Sequence, residues 1–440
     1  MGKKSKSIVR ATNNSRAQSQ KPPRAIASST SNQFALTRWL QKSSFKKVSE
    51  LGEVNHIAIF SGIFAIFLTL FAMWGSLGFH FIPSAFLHVA TNDPIAALAK
   101  SIDPKFYFVN DASHYDGVYY YAMALDPFAK GQAHTLIDLA NYRYGHPMHG
   151  WLGLIVSLGQ DKALPIAFVI LTLIGAFLGT YMTAKIANYY GKSAWWGLFF
   201  IAQSGILYAA INSVTEVLMM ALVMTVLYLS LKDKPNYILI GFVSFLLCFY
   251  KEPNVLILLA IIFWELLQAR KQNIKLKNIY KKLVALSFGI PFLALWYLYT
   301  KSVFGSAPNT YGEGVFGLPF VGWVEAFKKA AQLQQGNFEQ SQIGTLVVPV
   351  LTSCLLLYLI TIVTSRKLSN VVQIMALTQI AISLCHGWLN LVYPHEILRD
   401  QIASLFLSAF ALVLILPRYE SVDTNQSHGK PVEAENLVNS

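Results

Sequence analysis

Long apolar runs recur along most of the chain, and polar stretches separate them. A hydrocarbon core about 30 Å thick needs about 20 helical residues, so each run predicts a membrane-spanning helix. The sequence therefore predicts an all-helical, polytopic transmembrane bundle whose long first outer loop holds short helices. We predict ten spans, at 56–77 and 164–181, two within 194–231, two within 236–268, and one each at 283–300, 346–364, 371–389 and 401–416.

Two of these runs are divided for different reasons. Residues 194–231 would form a single helix of about 57 Å at 1.5 Å per residue, so we predict a turn near Asn212. Residues 236–268 are interrupted by two charged residues and by Pro253, which suits the first turn of a new helix. The second run is therefore predicted to be a helical hairpin whose tip, at residues 251–252, lies in a protein-lined recess.

The distribution of Lys and Arg orients the spans. Cytoplasmic connections carry an excess of these residues, and the densest set, between residues 270 and 282, falls inside only if the hairpin is present. Both termini are then cytoplasmic, and the long segments 78–162 and 301–345 are extracytoplasmic. Apolar residues at helical spacing between 320 and 331 predict a helix that lies in the membrane interface.

Composition agrees with a membrane protein. Hydrophobic residues make up 54% of the 440 residues and charged residues 13%, about half the ~25% usual for soluble domains. The mean hydropathy is +0.44. These values exclude a cytosolic enzyme, a secreted disulfide scaffold and a disordered regulator. Three cysteines without CxxC spacing lie in apolar runs and are expected to be small core residues.

The net charge of +13 is concentrated at the amino terminus. Residues 1–50 carry eleven Lys or Arg and one acid, which leaves +3 for the rest of the chain. They are rich in Ser, Asn and Gln, so we predict a disordered basic cytoplasmic tail that favours anionic membrane lipid over nucleic acid. The transmembrane domain is predicted at 51–417 and a second disordered tail at 418–440. No cleavable signal is expected, and a plasma membrane is the predicted location.

Most ionisable residues without an anchoring role fall on the predicted outer face. A charge at mid-membrane depth costs about 2.5–3.5 kcal/mol, so such residues mark sites or pathways. For each one a solvated loop is the alternative, and together their convergence on one face favours a site. The candidate residues are His114, Asp116, Tyr119, Arg143, Glu216, Lys251, Glu252 and Arg399.

Several simpler interpretations stay open. Tyr119 can belong to an interfacial aromatic belt, Lys251 and Glu252 can form an internal ion pair, and Arg399 can pair with the adjacent Asp400. Asp116 can cap or order its loop. Three histidines (His114, His146 and His149) offer imidazole ligands, but H-x-x-H in a loop is weak evidence for a metal.

The segment His114-Tyr-Asp116-Gly-x-Tyr119-Tyr-Tyr121 resembles the first extracytoplasmic loop of C-type (GT-C) membrane glycosyltransferases. It is most similar to mannosyltransferase-like families related to the GPI-anchor mannosyltransferase II group. Later pieces at 142–147, 212–216 and 251–252 resemble that family's Tyr-Arg stretch, Thr-Glu turn and Lys/Arg-Glu pair. Many members carry DxD or ExD in this loop, whereas here four residues separate Asp111 from Asp116, so a divalent cation (Mg²⁺ or Mn²⁺) stays an open requirement.

The resemblance implies sugar transfer, with mannose as one candidate sugar, from a polyprenyl-phosphate donor to a hydroxyl of a glycan, lipid or protein acceptor. Asp116 would be the general base. Arg143, Lys251 and Arg399 would bind the phosphate, and Glu216 and Glu252 would orient sugar hydroxyls or those cations. His114 and Tyr119 would contact substrate, Tyr119 by stacking on a sugar ring.

Two further expectations concern the environment of Asp116. Partial desolvation in an aromatic loop is expected to raise its pKa, and Gly117 is expected to let the backbone approach a ligand. Two other classes of protein stay open, a lipid or solute transporter or flippase and a non-catalytic assembly protein. A transporter would usually show matching broken helices in two halves, and the hairpin has no twin in this sequence.

Overall fold

The computed structural model describes residues 30–110, 114–306 and 314–417. Over these ranges the protein is all-helical, as predicted, with 75% helix and no strand. Two isolated β-bridges, between Ala90 and Val109 and between Phe316 and His386, are the strand-like contacts there.

Nine α-helices lie among the described residues from 30 to 231. Between the first long helix and α6, the described residues of 78–162 form short helices and no full span, as the sequence predicts. The helices are α1 (Thr30–Ser76), α2 (Ala96–Ile102), α3 (Gly117–Leu125), α4 (Ala140–Arg143), α5 (Met148–Val156), α6 (Leu164–Tyr189), α7 (Leu198–Ile201), α8 (Ser204–Ile211) and α9 (Glu216–Leu231).

Nine more helices follow in the described residues, with 3₁₀ turns at Ser365–Lys367 and Trp388–Leu391 among their connections, and a further 3₁₀ turn, Ala194–Gly197, precedes α7. The helices are α10 (Tyr237–Tyr250), α11 (Asn254–Lys271), α12 (Leu276–Ser287), α13 (Gly289–Phe304), α14 (Val321–Gln334), α15 (Phe338–Thr364), α16 (Val371–Leu384), α17 (Pro394–Asp400) and α18 (Ile402–Ile415).

Four stretches in the described part of the chain are long and apolar enough to cross a membrane. Two bent pairs raise that number to six if each counts as one span: Ala194–Ile201 with α8, bent by 52°, and α17 with α18, bent by 68°. The helices α9, α10 and α16 are apolar but shorter. The four stretches are Gly52–Ser76, Asp161–Tyr189, Leu276–Phe304 and Phe338–Lys367.

Both predicted helix breaks are confirmed. The turn near Asn212 separates α8 from α9, and α10 ends before Lys251 while Pro253 precedes the first residue of α11. The start of α1 differs from the sequence prediction, because residues 30–50, assigned to the disordered tail, are helical. That stretch contains no Pro or Gly and many good helix formers. Residues 1–29 and 418–440 of the predicted tails lie outside the described residues.

The main hydrophobic core surrounds α9. Fourteen of its 16 residues are buried, and α6, α10 and α11 pack on it. At Gly175 of α6 a Cβ atom would lie 2.9 Å from the Leu218 Cα atom of α9, so the two backbones approach more closely than a side chain allows. A helix buried on all sides is apolar on all sides, and its one acidic residue, Glu216, is thereby brought into the protein interior.

A second core cluster joins α14, α15 and α17. Its centre is Trp323, whose indole Nε1 donates a hydrogen bond to the Ser383 carbonyl over 2.9 Å. The predicted helix over 320–331 is therefore confirmed as α14. Its other side exposes Val321 and Val324, which are 47% and 52% exposed, and this apolar exposure suits the predicted position in the interface.

Candidate functional site

One cavity of about 280 Å³ collects most of the residues that the sequence singled out. It lies where the start of α3, the end of α4, the start of α9, the α10–α11 tip and the α16–α18 region meet. Six of the eight candidate residues line it, namely Asp116, Arg143, Glu216, Lys251, Glu252 and Arg399.

Asp116 is held at the N-terminal end of α3 by close backbone packing. A Cβ atom on the next residue, Gly117, would lie 2.7 Å from the Leu87 carbonyl oxygen and 2.9 Å from the Leu87 Cα atom. A glycine is therefore required at position 117 because the backbones of residues 117 and 87 pack too closely for a side chain. The expectation that Gly117 lets the backbone approach a ligand is therefore wrong, because the Leu87 backbone occupies that space.

Both carboxylate oxygens of Asp116 are ion-paired. Arg399 Nη1 lies 2.7 Å from Oδ2, and Arg143 Nη1 lies 3.3 Å from Oδ1. Burial raises the pKa of Asp116, but the two guanidinium groups outweigh burial and hold that pKa well below its ordinary value. The expected rise in pKa is therefore wrong, because the aromatic setting was visible in the sequence while the convergence of two arginines was not.

His114 and Tyr119 support the cavity from behind rather than line it. The Tyr119 ring stacks against Arg143, whose guanidinium carbon lies 3.6 Å from the ring centroid. His114 Nε2 is 3.0 Å from the Tyr119 hydroxyl, and its Nδ1 is 2.7 Å from Asp93 Oδ1. The aromatic ring expected to stack on a sugar thus stacks on a cation of the protein.

Arg399 is the most heavily paired cation of the site. Its Nη2 lies 2.9 Å from Glu396 Oε2 and 3.1 Å from Asp400 Oδ1. Glu396 also accepts a hydrogen bond from the Tyr115 hydroxyl, and Arg399 lies over the Tyr115 ring at 5.0 Å. The ion pair with Asp400 that the sequence offered as the simpler alternative is present, together with two further carboxylate contacts.

Glu396 and Tyr115 are site residues that sequence reasoning did not select. Glu396 precedes Arg399 by three residues on one helix face, which is the spacing of a helical ion pair. Tyr115 directly precedes Asp116. Both positions could have been found from their spacing to a candidate residue.

Lys251 pairs with Glu216 and not with its neighbour Glu252. Lys251 Nζ lies 2.7 Å from Glu216 Oε1, so the hairpin tip is tied to the start of α9. Glu216 is 2% exposed, and its second oxygen, Oε2, has no hydrogen-bond partner among the described residues. The site therefore holds a buried carboxylate with one spare acceptor.

Glu252 has a different set of partners. The Tyr297 hydroxyl donates a hydrogen bond to its Oε1 over 2.6 Å, and His146 Nδ1 lies 3.8 Å from the same atom. The third candidate histidine, His149, packs instead against the rings of Tyr120, Phe168 and Tyr250. Burial lowers the pKa of His149 to about 4, so it is neutral at pH 7.

The three histidines therefore do not converge on one point. Within residues 30–110, 114–306 and 314–417 no group of three or more His, Cys, Asp or Glu side chains is arranged to hold a metal ion. Asp116 and Glu216 are each paired with a cation of the protein. Asp111, the other aspartate of the first loop, lies outside the described residues.

The cavity is lined by the six charged candidate residues, which we call the charged wall, and by a set of neutral polar side chains, which we call the uncharged wall. Gln401 Nε2 donates to His386 Nδ1 over 2.7 Å, and Ser404 Oγ donates to the Gln401 carbonyl over 2.8 Å. Sequence reasoning missed the uncharged wall because it selected ionisable residues, whereas isolated neutral polar residues are ordinary within apolar helices. The available signal was the four-residue spacing of Gln379 and Ser383, which puts both on one face of α16. The wall consists of Gln379, Ser383, His386, Asn390, Gln401 and Ser404.

The fold and the cavity together define an all-helical membrane protein with an ion-paired, aromatic-supported internal site. Comparison of the chain with protein-family models, with curated proteins and with solved structures finds no match.

Proposed function

We propose that this protein is a membrane glycosyltransferase that moves a sugar, such as mannose, from a polyprenyl-phosphate donor to an acceptor hydroxyl at the extracytoplasmic face. The observation that carries the proposal is the convergence of Asp116, Arg143, Glu216, Lys251, Glu252 and Arg399 on one cavity. These residues come from five separate segments of the chain, and all of them except Arg399 lie in the segments that carry the GT-C resemblance.

The size of the cavity supports a small polar ligand. Its volume of about 280 Å³ lies just below the ~300–1,000 Å³ typical of ligand pockets. A sugar with one phosphate group fits that scale, and a complete polyprenyl chain does not. The lipid tail of the donor would therefore remain outside the cavity.

The charged wall suits the departure of a phosphate. In the proposed reaction the acceptor oxygen forms a bond to the anomeric carbon of the sugar, and the bond from that carbon to the phosphate oxygen breaks. The electron pair leaves with the polyprenyl phosphate, whose charge Arg143, Lys251 and Arg399 stabilise. The acceptor hydroxyl gives its proton to the Asp116 carboxylate.

Donor binding and base strength are coupled in this scheme. The Asp116 carboxylate is bound to Arg143 and Arg399, and a donor phosphate competes for the same guanidinium groups. As the arginines turn to the phosphate, their hold on Asp116 weakens and the pKa of Asp116 rises. The base thus gains strength when the donor is present.

We further propose ten crossings with both termini cytoplasmic, in a plasma membrane. The shorter helix α9 meets the cavity at its first turn, and α10 ends just before Lys251, which lines the cavity. Protein rather than lipid surrounds the backbone there. In a background with its three cysteines changed to serine, a cysteine at Lys275 should resist an impermeant thiol reagent applied to intact cells. A control cysteine at Lys328 of α14 should react. Labelling at 275 from outside would contradict the hairpin.

The activity is tested with the purified full-length chain in proteoliposomes. Polyprenyl-phosphate donors with radiolabelled mannose or another hexose are supplied with membrane acceptors, and the expected result is a covalently labelled acceptor that requires Asp116. Label that crosses sealed vesicles without covalent transfer would instead identify a transporter. Absence of both activities across the hexose panel would contradict the proposal.

A further inference from the structure

The uncharged wall of the cavity has its own hydrogen-bond network. The Tyr358 hydroxyl lies 2.6 Å from Ser404 Oγ and accepts a hydrogen bond from Ser383 Oγ over 3.0 Å. His386 Nδ1 accepts from Gln401, so the neutral imidazole carries its proton on Nε2. A network in which each member is fixed by another presents its remaining donors and acceptors in fixed directions.

Two residues that line the cavity each carry a buried polar atom without a hydrogen-bond partner among the described residues. Gln379 Nε2 is a donor on a side chain that is 6% exposed, and Glu216 Oε2 is an acceptor on one that is 2% exposed. A buried polar group that lacks a hydrogen bond destabilises the folded protein. The cavity therefore gains from a ligand that satisfies both atoms.

The chemistry of these two atoms selects the ligand. Gln379 offers an N–H and requires an acceptor, whereas Glu216 offers a carboxylate oxygen and requires a donor. A hydroxyl group is both donor and acceptor, and several hydroxyls on one ring can meet both walls at once. A second phosphate does not suit this position, because the Glu216 carboxylate would repel it.

We propose that Gln379, Ser383, His386, Asn390, Gln401 and Ser404 form a subsite for the ring hydroxyls of a pyranose, in which Gln379 determines specificity by donating to one hydroxyl. This inference rests on the proposed function and names the part of the cavity that recognises the sugar. The pyranose can belong to the donor or to a glycan acceptor, and the two sources differ in whether a phosphate is attached.

The test measures binding without transfer. Methyl α-mannopyranoside and its monodeoxy analogues are titrated by calorimetry into the full-length protein, and glucosides and galactosides are run in parallel. In the wild type one deoxy analogue should bind fivefold to tenfold more weakly than its parent, about the effect of one hydrogen bond. In Gln379→Met that difference should vanish, which is the coupling expected if the amide contacts that hydroxyl.

Two other variants control for folding. Thr378→Val alters the neighbouring position of α16, whose hydroxyl donates to the Met375 carbonyl, and should bind as the wild type does. Gln379→Glu keeps the shape but replaces the donor by an acceptor, so it should lose the same discrimination even if Gln379→Met is unstable. No binding of any glycoside by the wild type, or undiminished discrimination in both Gln379 variants, would overturn the inference.

Further measurements distinguish a donor sugar from an acceptor sugar. They also distinguish failure of this inference from failure of the proposed function. Mannose 1-phosphate that loses affinity in both Gln379→Met and Arg399→Lys identifies the donor sugar, whereas an effect on the methyl glycoside alone identifies an acceptor. Glycoside binding that depends on Gln379 in a protein without transfer activity supports this inference and contradicts the proposed function. Transfer activity with binding independent of Gln379 does the reverse.

Discussion

Asp116 and Glu216 line the same cavity, yet the protein neutralises them in different ways. Asp116 uses both carboxylate oxygens, one for Arg143 and one for Arg399. Glu216 uses one oxygen for Lys251, and its second oxygen meets no partner among the described residues. Asp116 is held by cations that a phosphate can attract away, whereas Glu216 keeps a free acceptor.

This difference indicates that the number of ion-paired oxygens, rather than the extent of burial, distinguishes the roles of the two carboxylates in this site. Glu216 is the more buried of the two, but its spare oxygen suits a ligand hydroxyl that stays in place. Asp116 has no spare acceptor until an anion arrives. A group that responds to the anion is suited to the proton transfer that accompanies its departure.

Asp116→Asn gives the largest effect expected from this comparison. The amide keeps the size of the side chain but cannot take up the acceptor proton, and a general base contributes about 10²–10⁴-fold in rate. We expect at least about a hundredfold loss of transfer, with donor binding kept or tightened because the arginines lose a competing anion. Glu216→Gln should lose only about tenfold. If Glu216→Gln proves the more damaging change, the base is Glu216.

The ion pair of Glu216 is tested through stability. Lys251→Met leaves a carboxylate that is 2% exposed without its cation, which costs about 3 kcal/mol in free energy of unfolding. Adding Glu216→Gln should restore most of that loss in a double-mutant cycle measured by denaturation in detergent. The exposed pair of Lys162 and Asp103 is the control, since Lys162→Met should cost under about 1 kcal/mol. Equal losses of unfolding free energy in Lys251→Met and Lys162→Met would contradict a buried ion pair between Lys251 and Glu216.

Arg399 pairs with Asp116 and, in the proposed function, also binds the donor phosphate. Arg399→Ala should weaken donor binding by about 1.5–3 kcal/mol, the range for hydrogen bonds to a charged group. Arg399→Lys keeps the charge but loses the fork that reaches Asp116, Glu396 and Asp400. The exposed Arg366 provides a control variant, Arg366→Ala. Unchanged donor affinity in a normally expressed Arg399→Ala protein would remove this residue from the site.

The smallest expected effect is the acid dependence of stability. The pKa of Asp116 is lowered in the folded protein, so its contribution is present above its unfolded pKa, near 4, and is lost as the pH falls through the folded value. Arg399→Ala raises the folded pKa toward the unfolded value, so the loss should be smaller and should be complete at a higher pH. Thermal unfolding in detergent at a series of acidic pH values measures this shift, and the same acid dependence in both proteins would contradict the assigned cause.

The helix breaks and the charged wall could be predicted because their signals are local. Pro253 interrupts an apolar run, and Arg143 or Lys251 is conspicuous in a chain of high hydropathy. The partners of these residues could not be predicted. Lys251 pairs with Glu216, 35 residues away, rather than with the adjacent Glu252, because the choice depends on how α9 meets the hairpin.

Neither the lowered pKa of Asp116 nor the uncharged wall could be predicted from the sequence, and the reason is similar in both cases. The arginines that lower that pKa lie 27 and 283 residues away. Gln379 and Ser404 carry no charge and sit within apolar runs, so hydropathy alone treats them as ordinary span residues. Tertiary packing brings them to one cavity.

The separation of Asp116 from its two arginines has a consequence for biosynthesis. At about 5–20 residues per second, the ribosome delivers Arg143 within seconds of Asp116, whereas Arg399, 283 residues later, follows after roughly 15–60 s. Arg143 is therefore the counterion available to the nascent chain while the first loop is inserted, and Arg399 completes the pair last. We expect pulse–chase crosslinking of cysteines at 116 and 143 to precede crosslinking at 116 and 399 by that interval. The ion pairs of Asp116 are therefore complete only after the carboxyl-terminal helices have been synthesised.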